Sequence, residues 1–425
     1  MEFHLCMRLE RCTKTQKERF LTGIAQIRRL PFRVVAVLVT LSMMWACAGA
    51  PPTRVLDVPP SAHPELAKLQ SLRVTENENV KVFGDGRIEK RNGSWVLHVK
   101  GTPYEMGYQQ GILLKDLIRS NMTDMQGFLT PYIEAVRKVM KTQPPELMEE
   151  LQGIAAGACV DMTYLFAADL LQYRRGLAGC SNVIMFGNST KDGRLFHIRA
   201  YDWKEGKVFQ NWVVAFYKPQ KGIPFTGIIS PGSVVLRTGM NMQGISIGHG
   251  LVAGTKVGMG VSDFCLFRYI VQFANNIDEA TEFVMKAPPR EHEMHVIAIA
   301  DGANKRGRIF EMIGPTGRII REPARDYVLC TNHLIKNVAF PQDAESKERY
   351  TYWQTSIEDN YGKIEASMAI DLAKGYCRFR SGARATNLHT AIFDANAGKM
   401  FVAVGPPYPA CKNAFRVFDL KEELY

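Results

Sequence analysis

Apolar residues between Pro103 and about Tyr173 recur at three- and four-residue steps, most clearly in LLKDLIRSNMTDMQGFLTPYIEAVRKVMK, and that period predicts a run of helices. PPELMEELQGIAAGACV opens on prolines, which suit a helix N-terminus because they leave no N–H unsatisfied there, and it carries acids in its early turns. Before this run, Val80 and Val82, then Trp95, Val96, Leu97 and Val99, suggest a short β element. After Gly179 the texture changes to short apolar runs. Strands are expected over 180–187, 194–200 and 210–217 and near 233–238 and 244–248, with a tight turn at Asp192-Gly193 joining the first two. DFCLFRYIVQFANN and DEATEFVMKA read as helices, HVIAIADG and RIFEMIG as paired strands, and YVLCTN as another. Helical pieces follow near 346–356 and 364–374, and NLHTAIFDA and KMFVAVG close the chain as a strand pair. Strands joined by short turns and interrupted by helices imply antiparallel sheets covered by helices, an α+β layered domain, and argue against a doubly wound parallel sheet.

Charge and cysteine usage change the picture mainly at the N-terminus. The chain has 425 residues and a formal charge of +11, and residues 1–46 hold eight basic residues against three acidic ones. No Lys/Arg run interleaved with aromatics occurs in the body, so nucleic acid is not an expected partner. Arg28, Arg29 and Arg33 precede the apolar run VVAVLVTLSMMWA, which is short for a bilayer span and matches the core of an export signal. Cys47 follows directly, so the segment resembles a bacterial lipoprotein signal in which Cys47 is lipidated. The alternative is an uncleaved membrane anchor, and either way the body is expected outside the cytoplasm. Residues 48–79, rich in Pro and small residues at their start, read as a flexible tether, followed by an N-terminal segment (80–179) and a larger segment from Cys180 to the end. The six cysteines beyond Cys47 are irregularly spaced and form no zinc pattern, which leaves core thiols and a disulfide or two both open.

The stretch GCSNVIMFGNSTKDGRLFHIRAYDW, Gly179 to Trp203, carries the candidate chemistry. A thiolate attacks carbonyl carbon well when a base takes its proton and donors receive the oxyanion. A cysteine that becomes a chain's first residue brings its own base, because an α-amine titrates near ~7.7–8.0. Gly179 is an unhindered residue on the acyl side of such a scissile bond. Arg199 and Asp202, at the end of the adjacent hairpin strand, are placed to reach back, Arg199 to stabilise a thiolate and Asp202 to orient the amine. The residues alone leave a second reading open, a small buried cysteine of the core.

This stretch resembles the nucleophile segment of the acyl-coenzyme A:6-aminopenicillanic-acid acyltransferase family, cysteine N-terminal-nucleophile hydrolases related to choloylglycine hydrolases and acid ceramidase. Cys180, the turn Lys191-Asp192-Gly193, Arg199 and Asp202 occupy the motif's places. GTPYEMGYQQG, ELQGIAAGACVDMTYL, TGMNMQGISIG, LCTNH and HTAIFDANAGKMFVAVGPP are similar to further signatures, so roughly residues 95–420 are covered. The resemblance implies a four-layer αββα sandwich with a helical N-terminal segment, Cys180 as nucleophile freed by cleavage after Gly179, Asn332 as an oxyanion-hole donor, and Arg349 as an anchor of the active-site loops or of Asp202. Where relatives carry an oxyanion-hole Asn after the GMN strand, this chain has Gly248-His249-Gly250, which makes His249, with Asn241 on the strand before, a candidate for the oxyanion or substrate.

Other constellations are weaker. Cys180 with His333 has the spacing of a papain-like peptidase, but there the cysteine heads a helix and SNVIMFG is β-rich. His292 and His295 lack the i, i+4 spacing of a zinc helix, and no metal or organic cofactor is implied. His389 reads as a core or rim histidine, and Tyr201, Trp203 and Trp212 as core aromatics before an acyl-pocket lining. The resulting expectation is an exported, lipid-anchored hydrolase or acyltransferase that cleaves an amide of an N-acylated small molecule through a thioester. Coenzyme A enters at most as a co-substrate, and the oligomeric state is open. A catalytically silent, lipid-anchored binding protein on the same fold is the alternative class.

Overall fold

A computed structural model describes residues 55–171, 179–203, 211–252, 260–287, 294–313, 317–336, 343–380 and 385–425. Cys47 and the apolar segment before it lie outside the described residues. Among those described, no helix is long and apolar enough to cross a membrane.

Two points of the expected tether are docked on the body. Val55 is buried, Leu56 bridges to Val160, and helix α1 (Leu66–Ser71) buries Leu69. The cause is local: Asp161 N–H donates to the Val55 carbonyl at 2.9 Å, and His63 stacks on Tyr104 with ring centroids 3.6 Å apart. Strands β1 (Thr75–Glu76), β2 (Val80–Phe83), β3 (Gly86–Arg91) and β4 (Ser94–Gly101) then form a meander. The helical run resolves into α2 (Pro103–Leu113), α3 (Lys115–Leu129), α4 (Ile133–Met140), α5 (Pro145–Ala158) and α6 (Met162–Leu171). Thr102 and Glu105 start α2 with a reciprocal capping box. Helices α2 and α5 touch backbone to backbone: a Cβ on Gly107 would lie 1.9 Å from the Glu150 carbonyl oxygen, and one on Gly153 would lie 2.3 Å from that of Tyr104. Gly107 and Gly111 of GTPYEMGYQQG therefore serve helix packing.

Downstream come β5 (Ser181–Gly187), β6 (Gly193–Trp203), β7 (Val213–Pro219), β8 (Phe225–Ile229), β9 (Thr238–Asn241) and β10 (Ile245–Leu251). Helices α7 (Asp263–Phe273) and α8 (Ile277–Lys286) precede β11 (Met294–Asp301), β12 (Arg306–Ile313), β13 (Gly317–Arg321) and β14 (Tyr327–Cys330). Helices α9 (Ala344–Asp359) and α10 (Ala366–Tyr376), strands β15 (Thr386–Asp394), β16 (Lys399–Val404) and β17 (Arg416–Asp419), and α11 (Leu420–Leu424) complete the chain. One sheet runs β1-β2-β3-β4-β7-β8-β9-β10-β11-β12-β13 and the other β14-β5-β6-β15-β16-β17. The described neighbours pair antiparallel except β4 with β7, a parallel pair that joins the upstream segment to the first sheet.

Alternation along the strands sorts side chains into three cores. Leu97, Val99, Ala215, Tyr217, Ile297 and Ile299 face helices α2–α8. Val96, Val214, Phe216, Val296 and Ala298 of the first sheet meet Cys180, Ile184, Tyr201, Leu388 and Val402 of the second. On the far side of the second sheet, Val183, Met185, Ile198 and Ala200 pack on Trp353, Ile357, Ala373 and Tyr376 of α9 and α10. The layers are thus helix, sheet, sheet, helix, the αββα sandwich expected.

Two strand expectations shift. Phe225–Ile229 is a strand that the pattern did not single out. Val234, Val235 and Leu236 are buried but lie in a turn, because Ser233 Oγ and Arg237 are both bonded to Asp169 of α6 and hold the segment off the ladder until Thr238. One disulfide, Cys377–Cys411, is present, and Cys159, Cys180, Cys265 and Cys330 are thiols.

Candidate active site

Cys180 lies one residue ahead of β5 and is 1% exposed. Pairing of β14 with β5 sets Cys330 opposite Asn182, and the same register carried two residues further brings Asn332 beside Cys180. The Cys180 N–H donates to Asn332 Oδ1 at 2.7 Å, and the Cys180 carbonyl accepts from Arg349 Nη1 at 2.6 Å. Arg349 Nη2 donates to the same Asn332 oxygen at 2.9 Å. Both backbone groups of the candidate nucleophile are thereby fixed by two side chains that also hold each other. Asn332 is itself locked, its N–H on Ser346 Oγ and its Nδ2 on the Leu251 carbonyl, each at 2.7 Å. One of its two amide N–H donors is engaged by that carbonyl. Its oxygen grips the nitrogen that cleavage would turn into an amine, which is a different contact from the oxyanion contact implied by resemblance. Arg349 reaches Cys180 and Asn332, the loop-anchoring option of its two expected roles.

Asp202 neighbours the proposed scissile bond through its backbone: its carbonyl accepts the Gly179 N–H at 3.1 Å. Strand alternation then divides the site. Asn182 pairs with Arg199, so Arg199 shares the inter-sheet face with Cys180 and Tyr201, while Asp202 and Ser181 turn towards α10. The Asp202 carboxylate accepts from Tyr376 Oη at one oxygen and from Asn387 Nδ2, at 2.7 Å, at the other. The sequence reading named neither partner. Asn387 stands at a bulge in the β6–β15 ladder, where an extra residue re-aims a side chain.

Arg199 is fully buried, and its Nη1 donates to the Ala200 carbonyl at 2.7 Å. Its Nη2 lies 3.4 Å from His249 Nδ1, its guanidinium stands 5.1 Å from the centroid of the Tyr201 ring, and its Nε has no partner. Among the described residues no carboxylate pairs with it. His249 is held neutral, its pKa pushed well below the ordinary value by burial first and by the Arg199 charge second. An arginine can only donate, so His249 Nδ1 is the acceptor and the ring proton lies on Nε2. The ring also bonds to the Arg237 backbone. His249 therefore packs beside Arg199 as a neutral ring bonded on both sides.

Gly248 and Gly250 explain the departure around His249. A Cβ on Gly248 would lie 1.9 Å from Asn182 Oδ1 and 2.6 Å from Arg199 Cδ, and one on Gly250 would lie 2.4 Å from the Thr331 carbonyl oxygen. The two sheets meet at these glycines. Asn241, by contrast, is spent on the fold: its Nδ2 donates to the carbonyls of Val271 and Ala274, and its Oδ1 accepts from Gln243 and Ile245 N–H. Two donors and two accepted bonds leave it nothing for a substrate, which corrects that candidate.

The remaining candidates fall into the core. His333 bonds to Ser346 Oγ at 2.8 Å, and burial pushes its pKa down to about 4. His295 pairs with Asp263 at 3.0 Å, and His292 lies outside the described residues. Tyr201 stacks on His389 and meets Trp212 edge-on. Cys330 accepts a weak bond from Asn182 Nδ2, and burial raises its thiol to about 11, so it is a poor rival nucleophile. No group of three or more His, Cys, Asp or Glu suited to a metal occurs among the described residues.

Chemically, the arrangement offers a buried thiol on a rigid strand end, a cation on its own face, and fixed partners for its backbone nitrogen and carbonyl. A protein of Archaeoglobus fulgidus is 25% identical over 66% of this chain, which spans 58% of that protein's length. The 40 kDa form of acyl-coenzyme A:6-aminopenicillanic-acid-acyltransferase from Emericella nidulans is 25% identical over 36% of this chain and 46% of its own. A variant of conjugated bile acid hydrolase from Clostridium perfringens superposes with a TM-score of 0.45 at 11% identity, covering 58% of this chain and 93% of that one. The family described as acyl-coenzyme A:6-aminopenicillanic acid acyl-transferase matches residues 189–408, a span that begins after Cys180 and takes in Arg199, Asp202, Asn332 and Arg349. That match covers just over half of the sequence, and on it the chain belongs to the acyl-coenzyme A:6-aminopenicillanic acid acyl-transferase family.

Proposed function

We propose that the protein is an autoprocessing cysteine N-terminal-nucleophile amidohydrolase or acyltransferase. The observation that carries this reading is the grip on Cys180, with Asn332 on its nitrogen, Arg349 on its carbonyl and Arg199 on its side-chain face. In processing, Cys180 Sγ attacks the Gly179 carbonyl carbon, the Gly179–Cys180 C–N bond breaks, and the nitrogen takes the thiol proton. A thioester links Gly179 to Sγ until water hydrolyses it and leaves a free amine on Cys180. Asn332 Oδ1, already on that nitrogen, holds the amine so that it accepts the thiol proton in the next cycle. The thiolate then attacks the carbonyl of an N-acylated small molecule, the α-ammonium returns its proton to the departing amine, and water or a second amine takes the acyl group from sulfur. The same reading places the body outside the cytoplasm on a lipid at Cys47. Cys47→Ser is then expected to abolish membrane extraction behaviour, and an unchanged partition would overturn the anchor.

Intact mass of the purified chain tests the central claim. Processing yields pieces of about 15 kDa (47–179, before the mass of the lipid) and about 28 kDa (180–425), scaled from 47.8 kDa for 425 residues. Cys180→Ala is expected to remain one chain and to hydrolyse no N-acyl amide. A wild-type chain that stays whole through Gly179-Cys180, together with amide cleavage that survives alkylation of Cys180, sinks the reading.

A further inference from the structure

The contacts of Asp202 lead to a pair of cysteines that the proposed chemistry does not use. Tyr376, whose hydroxyl holds one Asp202 oxygen, is the last residue of α10 and is followed directly by Cys377. Asn387, which holds the other oxygen, is oriented in turn: its Oδ1 accepts the Cys411 N–H at 2.9 Å and the Thr390 hydroxyl at 3.0 Å. Those acceptor contacts point the Asn387 amide nitrogen at Asp202. Cys377 and Cys411 form the disulfide, and both are buried. A single covalent bond therefore ties the residue after Tyr376 to the turn whose backbone N–H orients Asn387 of β15, and the side chains of Tyr376 and Asn387 both hold one buried carboxylate. Cys377, at the end of α10, and Cys411, in the turn Ala410–Lys412, are 34 residues apart in sequence. The same Asp202 presents its carbonyl to the Gly179 N–H, and Ser181 Oγ donates to Tyr376 Oη at 3.3 Å, so the clamp touches both sides of Cys180.

We propose that Tyr376 and Asn387 are positioning residues for Asp202 and that the Cys377–Cys411 bond is an oxidation-dependent clamp that sets them, so that cleavage at Gly179-Cys180 is fast only once the disulfide has formed. This rests on the Cys180 reading above. A dithiol reductant supplies two electrons and two protons, turns Cys377 and Cys411 into two thiols, and closes to its own disulfide. Asp202 then keeps its carboxylate but loses the fixed spacing of its two donors. Asp202 borders the Gly179–Cys180 bond through its carbonyl on the Gly179 N–H and through Tyr376 on Ser181, and small displacements there cost rate more than stability.

The experiment follows self-cleavage of freshly synthesised chain by intact mass, which needs no substrate, across a range of pH. The double variant Cys377→Ser/Cys411→Ser, and wild type made under reductant, are expected to cleave about tenfold more slowly. Tyr376→Phe, which leaves the disulfide intact, is expected to reproduce that loss with the same change in the pH profile. In an Asp202→Asn background, breaking the disulfide is expected to add less than about twofold, because the group it positions is already gone. Equal losses in both backgrounds mean the disulfide is only a staple and overturn the proposal, as does full-speed cleavage by Tyr376→Phe. If the double variant fails to fold, as judged by its thermal transition, Tyr376→Phe with and without Asp202→Asn still decides. A wild-type chain that never splits overturns the Cys180 reading instead. The clamp on cleavage falls with it, whereas a wild-type chain that splits equally fast with the disulfide reduced overturns the clamp alone.

Discussion

Arg268 and Arg199 are both almost wholly buried, yet the fold treats them differently. Arg268, on α7, donates to Glu150 Oε2 at 2.6 Å and to Gln272, and lies over the rings of Tyr217 and Phe225 at 4.8 and 4.2 Å. Its charge is matched by a carboxylate, and its flat faces are covered. Arg199 has a carbonyl, a neutral imidazole and one ring face, with no carboxylate among the described residues. A buried cation without a counter-ion is expensive, and a fold that only needed packing there would do better with an apolar side chain. The difference points to an anion that is present part of the time, and the thiol on the same face of the hairpin can become one. Arg268 is matched within the fold; Arg199, on the proposed function, is kept for the thiolate.

One substitution applied to both sites sharpens the contrast. Arg268→Met leaves Glu150 buried without its cation, and breaking such a pair is expected to cost about 3–5 kcal/mol in the unfolding free energy. Burial already raises the Glu150 pKa against the pull of Arg268, so without the arginine the carboxyl moves further towards its neutral form. A neutral carboxyl tolerates burial, and the Arg268→Met defect is therefore expected to shrink as pH falls. A defect that is constant or grows on acidification would show that Glu150 is not the group left stranded. Arg199→Met reverses the pattern. Self-cleavage and amide turnover are expected to fall by about a hundredfold, as for loss of a group that stabilises charge formed during reaction. The melting temperature is expected to hold or rise, because a volume-matched apolar side chain replaces an unmatched cation. If Arg199→Met melts as early as Arg268→Met, the two arginines do one job and the comparison fails.

How much of this was legible in the sequence depends on distance along the chain. Cys180, Arg199 and Asp202 lie in the single stretch Gly179–Trp203, where a hairpin converts spacing directly into proximity, so the residues alone suggested their meeting. Asn332 and Arg349 came from resemblance, and the structure brings both to Cys180 through a strand pairing that no local pattern encodes. Tyr376 and Asn387 are 174 and 185 residues from Asp202, and nothing in their neighbourhoods marks them: an aromatic ending an amphipathic helix and an amide opening an apolar strand are ordinary. The layer order followed from alternation, but the parallel β4–β7 pair did not, since each strand reads the same whichever neighbour it takes. The run at 233–238 misled because apolar residues bury equally well in a turn once Ser233 and Arg237 are tied to Asp169.

Gly248 offers a smaller test of the same contrast, because it sets how closely the first sheet approaches Arg199. Gly248→Ala puts a methyl against Asn182 Oδ1 and the Arg199 stem. Overpacking of this kind is expected to cost about 1–3 kcal/mol in stability. It should also slow self-cleavage, because the group displaced is the one held for chemistry. An alanine at Gly107, where the clash is between helix backbones far from Cys180, should lower stability without a specific change in the cleavage rate of the folded fraction. Identical effects on cleavage from the two changes would break the distinction between packing glycines and site glycines.

The smallest effect is expected in acid, and it too separates the two arginines. His197, His249 and His389 are buried, and each is held neutral by burial first and by the Arg199 charge second, His197 down to about 3. A histidine whose folded pKa lies below its unfolded value contributes stability that is fully present above about 6.5 and is lost as pH falls towards the folded value, because the unfolded chain takes up the proton first. Arg199 deepens that loss, since its charge opposes protonation in the folded state alone. Removing the charge raises the folded pKa of all three imidazoles, narrows the gap to the unfolded value and reduces the stability lost on acidification. Arg199→Met is therefore expected to unfold at a pH lower than wild type by about half a unit. Arg268 acts on Glu150 and Tyr217 rather than on these imidazoles, so Arg268→Met recovers in acid only through Glu150 and keeps the histidine-linked loss of wild type. The measurement is an acid titration of both variants and wild type, followed by far-ultraviolet circular dichroism at constant ionic strength. An acid midpoint of Arg199→Met at or above the wild-type value would mean that burial alone sets the imidazoles, and that the unmatched charge of Arg199 is spent entirely on Cys180.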